Sequence, residues 1–245
     1  MLELAELRQF WVYLAASPLL GLTMTLCAYL AAQRIGVWCK GAPLANPVAI
    51  AIAIVVAILS VSGMSYERYF AGAQFVHFLL GPATVALAVP LVRQLPRLRR
   101  HWLPLSAALL AGCATAIVSV VVVARLLGAT PELLATLAPK SVTSPIAMAV
   151  AERLGGIPAL TAALVIGTGI FGAMFSTFLF HLLRVRSDAA RGFAMGLAAH
   201  GIGTARAFQL SAEMGAFAGL AMGLNGALTA LLAPWLVPLV IGWMG

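Results

Sequence analysis

Apolar positions in this chain fall into long uninterrupted blocks rather than the one-sided stripe of an amphipathic helix. Each block approaches the roughly 20 residues that cross a bilayer at about 1.5 Å rise per residue, and short polar breaks separate them. The first runs from about Tyr13 to Ala32, and the loop after it carries Arg34 and Lys40. Asn46-Pro47 reads as an N-cap followed by a first helical residue. It opens a second span, about Val48 to Ser65, that ends at Glu67-Arg68. A third apolar stretch, Ala73 to Val92, is interrupted by Gly81-Pro82-Ala83-Thr84 and is predicted to be a discontinuous helix.

The most basic stretch follows, Arg93 to His101, with arginines at 93, 97, 99 and 100 and with Pro96 expected to break any helix there. The positive-inside rule places it in the cytoplasm. A fourth span, about Pro104 to Ala124, therefore leads outward. The segment Ile157 to Leu183 leads back, because Arg184, Arg186 and Arg191 follow it. Between them, two apolar pieces flank Pro139-Lys140-Ser141-Val142-Thr143-Ser144-Pro145, each too short to cross alone, and predict a hairpin re-entering from the outer side. A second interrupted stretch has Ala189 to Ala199, then His200-Gly201-Ile202-Gly203-Thr204, then Ala205 to Ala212. It precedes a last span, about Gly215 to Leu239, and predicts a hairpin re-entering from the inner side. Two broken segments entering from opposite faces suit the midplane site of an alternating-access transporter.

A weak repeat of 57 residues places Pro47 on Pro104 and Pro82-Ala83-Thr84-Val85 on Pro139-Lys140-Ser141-Val142. A strict parallel repeat conflicts with the topology above, in which the first break crosses and the second re-enters. Composition supports the membrane reading: 62% of the 245 residues are hydrophobic and only 9% are charged, more apolar surface than a soluble core of this size uses. The expected fold is all-α and polytopic, a single integral membrane domain over residues 1–245. It has about six to eight transmembrane helices and two or three discontinuous or re-entrant segments, as in transporters.

The net charge of +8 sits at helix ends, where it reads as topology rather than as a nucleic-acid surface. Met1 to Gln9 holds Glu3 and Glu6 against Arg8, so no cleaved leader is expected. Cys27, Cys39 and Cys113 have no metal or redox spacing and read as packing residues. No nucleotide loop, zinc ligand set, dinucleotide fingerprint or hydrolase triad stands out, so neither an enzyme nor a cofactor is expected.

Candidate chemistry gathers at the breaks. Ser144-Pro145 is expected to cap a helix whose positive end faces back into the first break. Lys140 lies in that break, where a lone charge costs about 2.5 to 3.5 kcal/mol on insertion scales. It is read as kept for a ligand or a buried partner, against snorkelling to the outer interface. In the second break, His200 and Thr204 flank two glycines that permit unwinding, and Thr204 is expected to cap the helix bearing Arg206. His200 is open to a structural reading as a hydrogen-bonded histidine, and Arg206 to one as a surface anchor. Glu152 and Glu213 are read as charge partners or proton-coupling groups. Gly215, Gly219 and Gly223 form a small-residue seam on the last span, and Asn225 beyond it is a weak polar candidate.

These residues resemble the LrgB and CidB family. The resemblance rests on Gly81-Pro82-Ala83-Thr84-Val85-Ala86-Leu87-Ala88-Val89-Pro90-Leu91, on Pro139-Lys140-Ser141-Val142-Thr143, and on His200 to Ala205 followed by an arginine. Gly155-Gly156-Ile157-Pro158, Glu213 and Gly219-Leu220-Ala221-Met222 add to it. It covers roughly the whole chain. It implies a multi-pass protein of the bacterial inner membrane, working with a small LrgA- or CidA-like partner and related to the LrgB half of the plastid glycolate/glycerate transporter. Family members are described as holin- or antiholin-like regulators of murein hydrolase activity and lysis, or as carriers of pyruvate and similar small carboxylates. The chain departs from the family pattern at Ala149, where an acid is usual, and at Ala198-Ala199, where hydroxyl residues are common. The carrier reading expects Thr84, Lys140, Ser141, Thr143 and Ser144, with His200, Thr204 and Arg206, to surround a monocarboxylate, with a homo-oligomer as one possible assembly. The alternative is a holin- or antiholin-like regulator, and a third reading is a scaffold that holds the LrgA-like partner without carrying flux.

Overall fold

The computed structural model describes residues 18–39, 45–79 and 95–243, with isolated positions at 82, 85, 86, 89 and 92. Every regular element among the described residues is a helix. Four helices are long and apolar enough to cross a membrane: Leu19–Trp38, Trp102–Leu126, Pro158–Leu182 and Ala212–Trp243. Large apolar side chains such as Phe171, Phe178, Trp235 and Leu239 stand outward from them. That is the surface expected where lipid replaces water as the solvent. The chain clusters into two compact units, Met1–Ala86 and Leu87–Gly245.

In the first unit, helix α1 (Pro18–Trp38) packs against both α2 (Pro47–Ser62) and α3 (Tyr66–Phe78). Asn46 caps α2 as its sequence predicts, its Oδ1 accepting from Val48 N at 2.9 Å and Ala49 N at 3.2 Å. The second span stops at Ser62 instead of continuing to Ser65, because Gly63 takes the left-handed conformation (φ 66°) that ends a helix. Glu67 and Arg68 thus belong to α3, which starts before the predicted third stretch. Gly21 lets α1 approach the backbone of α3, where a Cβ would collide with the Tyr69 carbonyl. Beside it, the Thr25 hydroxyl donates to the Gly21 carbonyl (2.8 Å) and so accepts from the Tyr69 hydroxyl (2.8 Å). Of the interruption at Gly81-Pro82-Ala83-Thr84 only Pro82 is among the described residues, and Thr84 lies outside them.

The second unit opens with α4 (Leu95–Arg100) and α5 (Trp102–Leu126). Pro96 does not break α4, since it occupies the first turn, where its missing N–H has no intrahelical partner to lose. Short helices α6 (Pro131–Leu137) and α7 (Ser144–Arg153) follow, then α8 (Pro158–Leu182), α9 (Asp188–Leu210) and α10 (Ala212–Trp243). Cys113, Ile117, Val121 and Ala124, one face of α5, bury against Ala233, Val237 and Val240 of α10 and against Leu134, Ala138 and Val150 of the short helices.

Both predicted hairpins form. Helix α9 reverses at Ala199 (φ −123°, ψ 15°) and His200 (φ 40°, ψ −130°). A straight helix of this length would hold its ends about 34 Å apart, yet the Ser211 hydroxyl after its last residue donates to Asp188 Oδ2 in its first turn at 2.7 Å. Gly203 sits so close to the Met195 carbonyl that a Cβ would lie 2.6 Å from it, which confirms two antiparallel limbs. Thr136 ties the first limb of the α6–α7 hairpin to the start of α8: its hydroxyl accepts from Ile157 N at 2.9 Å and its carbonyl accepts from the Thr161 hydroxyl at 3.1 Å. The first limb of α9 runs along α10 through Gly192 and Gly196, where a Cβ would collide with the carbonyls of Met214 and Ala218. The closest backbone approach is therefore made by glycines of α9, and of the predicted seam on α10 one end is packed and the other open. Gly215 faces the Phe208 ring, and a Cβ on Gly223 would meet nothing within 4 Å.

Candidate functional site

The two breaks meet in the second unit. Asn225, near the middle of α10 and 1% exposed, donates from Nδ2 to the Leu197 carbonyl at 3.0 Å and to the Ser141 carbonyl at 3.4 Å. Ser141 lies in the α6–α7 break and Leu197 in the last turn before the α9 break. A helix interrupted in an apolar medium leaves backbone carbonyls without partners, and one amide group supplies a donor to each side. The Thr229 hydroxyl lies 3.5 Å from Asn225 Oδ1 and 3.3 Å from Cys113 Sγ, so the amide's own orientation is held from α5 and α10.

The break at His200 is narrower than the sequence suggests. Gly201 to Thr204 are helical, and the positive φ falls on His200, a residue type that pays about 1–3 kcal/mol for such backbone. Its ring offsets this by donating from Nε2 to the Val165 carbonyl of α8 at 2.9 Å. Gly169 makes room, since a Cβ there would lie 2.7 Å from the imidazole Cε1. Thr204 is no cap for the Arg206 helix: its hydroxyl donates back to the His200 carbonyl at 2.8 Å. In the first break the N-cap is Thr143, one residue before the predicted Ser144, and its side chain makes no capping bond.

Beside these breaks lies a cleft of about 820 Å³. Its polar lining is Lys140 and Ser141 from the first break, Thr115 from α5 and Thr168 from α8, with Leu197 and Ala198 closing the α9 side. Lys140 is half-buried, and no described carboxylate pairs with it. Of the predicted site residues, the structure thus brings Lys140 and Ser141 to one cleft. His200 and Thr204 are buried behind it, shaping the break, and Thr143 and Ser144 are not in its lining. Arg206 is directed elsewhere, its Nη1 donating to Gln209 Oε1 at 3.1 Å. Glu152 is exposed. Glu213 lines a second cleft with Arg100, His101 and Ser187.

Sequence reasoning missed Thr115 and Thr168, and it undervalued Asn225. The threonines carry no signal apart from being hydroxyls in apolar helices. Asn225 carried one, as an amide midway along a 32-residue apolar helix that requires partners at that depth.

A helical membrane protein with two opposed hairpins meeting at a polar tie is the class this architecture defines. The LrgB-like family model matches residues 25–239, and the chain belongs to that family. It is 35% identical to a Haemophilus influenzae protein over 80% of this chain and 84% of that one. It is 35% identical to the Bacillus subtilis protein YwbG over 78% of this chain and 85% of that one. It is 29% identical to the Antiholin-like protein LrgB of Bacillus mycoides, over 91% of this chain and 97% of that one. No solved structure matches.

Proposed function

We propose that the protein is a transport subunit for a small monocarboxylate of the pyruvate or glycolate kind, binding it in the cleft at Lys140. The observation that carries this reading is the Asn225 tie between Ser141 and Leu197, which holds two broken segments beside a half-buried cation. A lysine in an apolar helix bundle without a carboxylate partner among the described residues suits an anionic ligand, and the hydroxyls of Ser141, Thr115 and Thr168 offer donors for its second oxygen. Work with a small LrgA-like partner in the bacterial inner membrane belongs to the same proposal, as do a transport rather than a catalytic role and a coupling or pairing role for Glu213.

The test is uptake of labelled pyruvate, glycolate and lactate into proteoliposomes across a proton gradient, with and without the LrgA-like partner. Saturable uptake that is lost in Lys140→Ala supports the carrier. A second reading, an antiholin-like regulator of lysis, is favoured by the printed name of relatives such as the Bacillus mycoides protein. Leakage of large dyes without saturable carboxylate uptake would overturn the carrier in its favour. A tight complex with the partner and no flux of either kind would leave a scaffold.

A further inference from the structure

On its α9 side the cleft at Lys140 ends at Leu197. A second cleft of about 780 Å³ begins on the other side of it, lined by Arg100 and His101 before α5, by Ser187, Ala190 and Ala194 along the start of α9, and by Glu213 and Phe217 of α10. The two clefts share three lining residues, Gly112, Leu197 and Ala198. At that shared wall the Leu197 side chain lies on Gly112: a Cβ at position 112 would be 2.7 Å from Leu197 Cδ1 and 3.0 Å from Cδ2. Glycine and alanine contribute almost no side chain to the wall, so Leu197 is its only bulky member.

The geometry points to Leu197 as the gate between the Lys140 cleft and an inner vestibule formed by the second cleft. Three features fit the role. The Leu197 carbonyl is held by Asn225 at 3.0 Å, so the backbone that carries the side chain is fixed, and opening takes a change of rotamer against the Phe193 and Phe217 side chains it packs with. The residue stands in the last turn before the reversal at Ala199 and His200, so it occupies the tip of the α9 hairpin, where the first limb meets Gly112 of α5. The vestibule opens at the end of the unit carrying Arg100 and Ser187, next to Arg184 and Arg186, the cytoplasmic end by the positive-inside rule. An anion leaving Lys140 inward would pass Leu197 and meet Arg100. The description of Leu197 as a gate for a carboxylate rests on the transport reading above, but the barrier itself does not.

Accessibility tests the barrier without requiring transport. In full-length protein with Cys27, Cys39 and Cys113 replaced by serine, a single cysteine is placed in the outer cleft (Thr115→Cys) or in the vestibule (Ala194→Cys). Each is exposed on the arginine-bearing face of membrane vesicles to a charged, membrane-impermeant methanethiosulfonate. Ala194→Cys should react readily whatever residue stands at 197. Thr115→Cys should react slowly with Leu197 present and at least about tenfold faster with Leu197→Ala, the equivalent of removing about 1.4 kcal/mol of barrier. Leu197→Val, which removes one methylene, should give a smaller increase and serves if the alanine variant does not insert. Equal rates at Thr115→Cys with leucine, valine and alanine would overturn the proposal. If the rates depend on residue 197 while no carboxylate is taken up, the gate stands and the carboxylate reading falls. If uptake is saturable and lost in Lys140→Ala while the rates are indifferent to residue 197, the carrier stands and this gate falls.

Discussion

The side-chain amide of Asn225 and the carbonyl of Leu197 are joined at 3.0 Å, from mid-α10 to the turn that precedes the reversal of α9. The same amide reaches Ser141 at 3.4 Å in the other hairpin, so a single side chain fixes both breaks at one depth. Discontinuous helices are tolerated in a bilayer only where the released backbone groups find partners inside the protein, and Asn225 provides that condition for two of them.

Asn225→Asp therefore tests donation separately from size. The carboxylate has the same shape but no N–H, leaving two carbonyls facing an acceptor. Each buried group left without a partner costs about 1–3 kcal/mol, and the new charge adds to that. The expected outcome is a marked loss of thermal stability in detergent, followed by tryptophan fluorescence or by retention of a monodisperse peak. Asn225→Gln, which keeps the donor but not the reach, should fall between. Unchanged stability in the aspartate variant would show that the tie does not hold the breaks.

Lys140→Arg and Lys140→Ala separate ligand recognition from packing. Under the carrier reading the alanine variant loses saturable uptake, and the arginine variant keeps anion affinity with altered preference, since a planar fork replaces a point charge. Stability should move in the opposite direction to function. Removing an ammonium that has no described carboxylate partner relieves desolvation, so Lys140→Ala should unfold no earlier than the parent. A destabilised alanine variant would place Lys140 in the structural framework instead.

Much of this architecture is legible in the sequence because lipid forces it. Backbone that cannot pair with water must be helical, so apolar block length locates the fourth and last spans and Asn46-Pro47 the start of α2 to within a few residues, whereas the first span, read as ending at Ala32 before a loop with Arg34, runs on to Trp38. The α6–α7 hairpin is legible for the same reason, because pieces of 7 and 10 residues cannot cross alone, and the α9 hairpin is legible from the polar break at His200. What the sequence does not reveal is which side chain does what inside a break. Gly201 and Gly203 look like the hinge, yet His200 takes the left-handed backbone because the Val165 carbonyl, 35 residues away, holds its ring. Thr204 looks like a cap and is instead a donor to the His200 carbonyl. Likewise the glycines of α10 advertise a seam of which Gly215 packs under the Phe208 ring and Gly223 stands open, while the closest backbone approach is made by Gly192 and Gly196 of α9. Such roles depend on long-range partners, which local pattern does not encode.

The mouth of the α9 hairpin gives a further prediction. Ser211 donates to Asp188 at 2.7 Å and accepts from Met214 N at 3.0 Å, so one hydroxyl both closes the hairpin and caps α10. Ser211→Ala removes both functions and should cost about 1–3 kcal/mol, combining a charge-assisted bond with an N-cap. Asp188→Asn keeps an acceptor and should cost less. Hydrogen exchange resolves the two: the alanine variant should lose protection at the start of α10 and at the second limb of α9, whereas the asparagine variant should leave the cap of α10 protected.

Close approach of α9 to α10 gives the most severe outcome. At Gly196 a Cβ would collide with the Ala218 carbonyl, and at Gly169 it would lie 2.7 Å from the His200 ring. The two collisions differ in what can move. Ala218 O is helix backbone, so Gly196→Ala must push α9 and α10 apart along a contact that has no flexible side chain to absorb it. Forcing such overpacking costs about 1–3 kcal/mol or more. The His200 ring can turn away from Gly169→Ala, but only by giving up the Val165 bond that offsets its strained backbone. Gly196→Ala is therefore expected to abolish stable insertion, read as loss of full-length protein in the membrane fraction. Gly169→Ala should insert and display a loosened α9 break, seen as a thiol at Ala199→Cys that becomes reactive in the double variant and is protected with Gly169 intact. By contrast, Gly167→Ala points into open space beside the Lys140 cleft and should leave both insertion and that protection unchanged. If Gly196→Ala inserted as well as Gly167→Ala, the close contact of α9 with α10 would not be the rigid support that places Leu197 against Gly112.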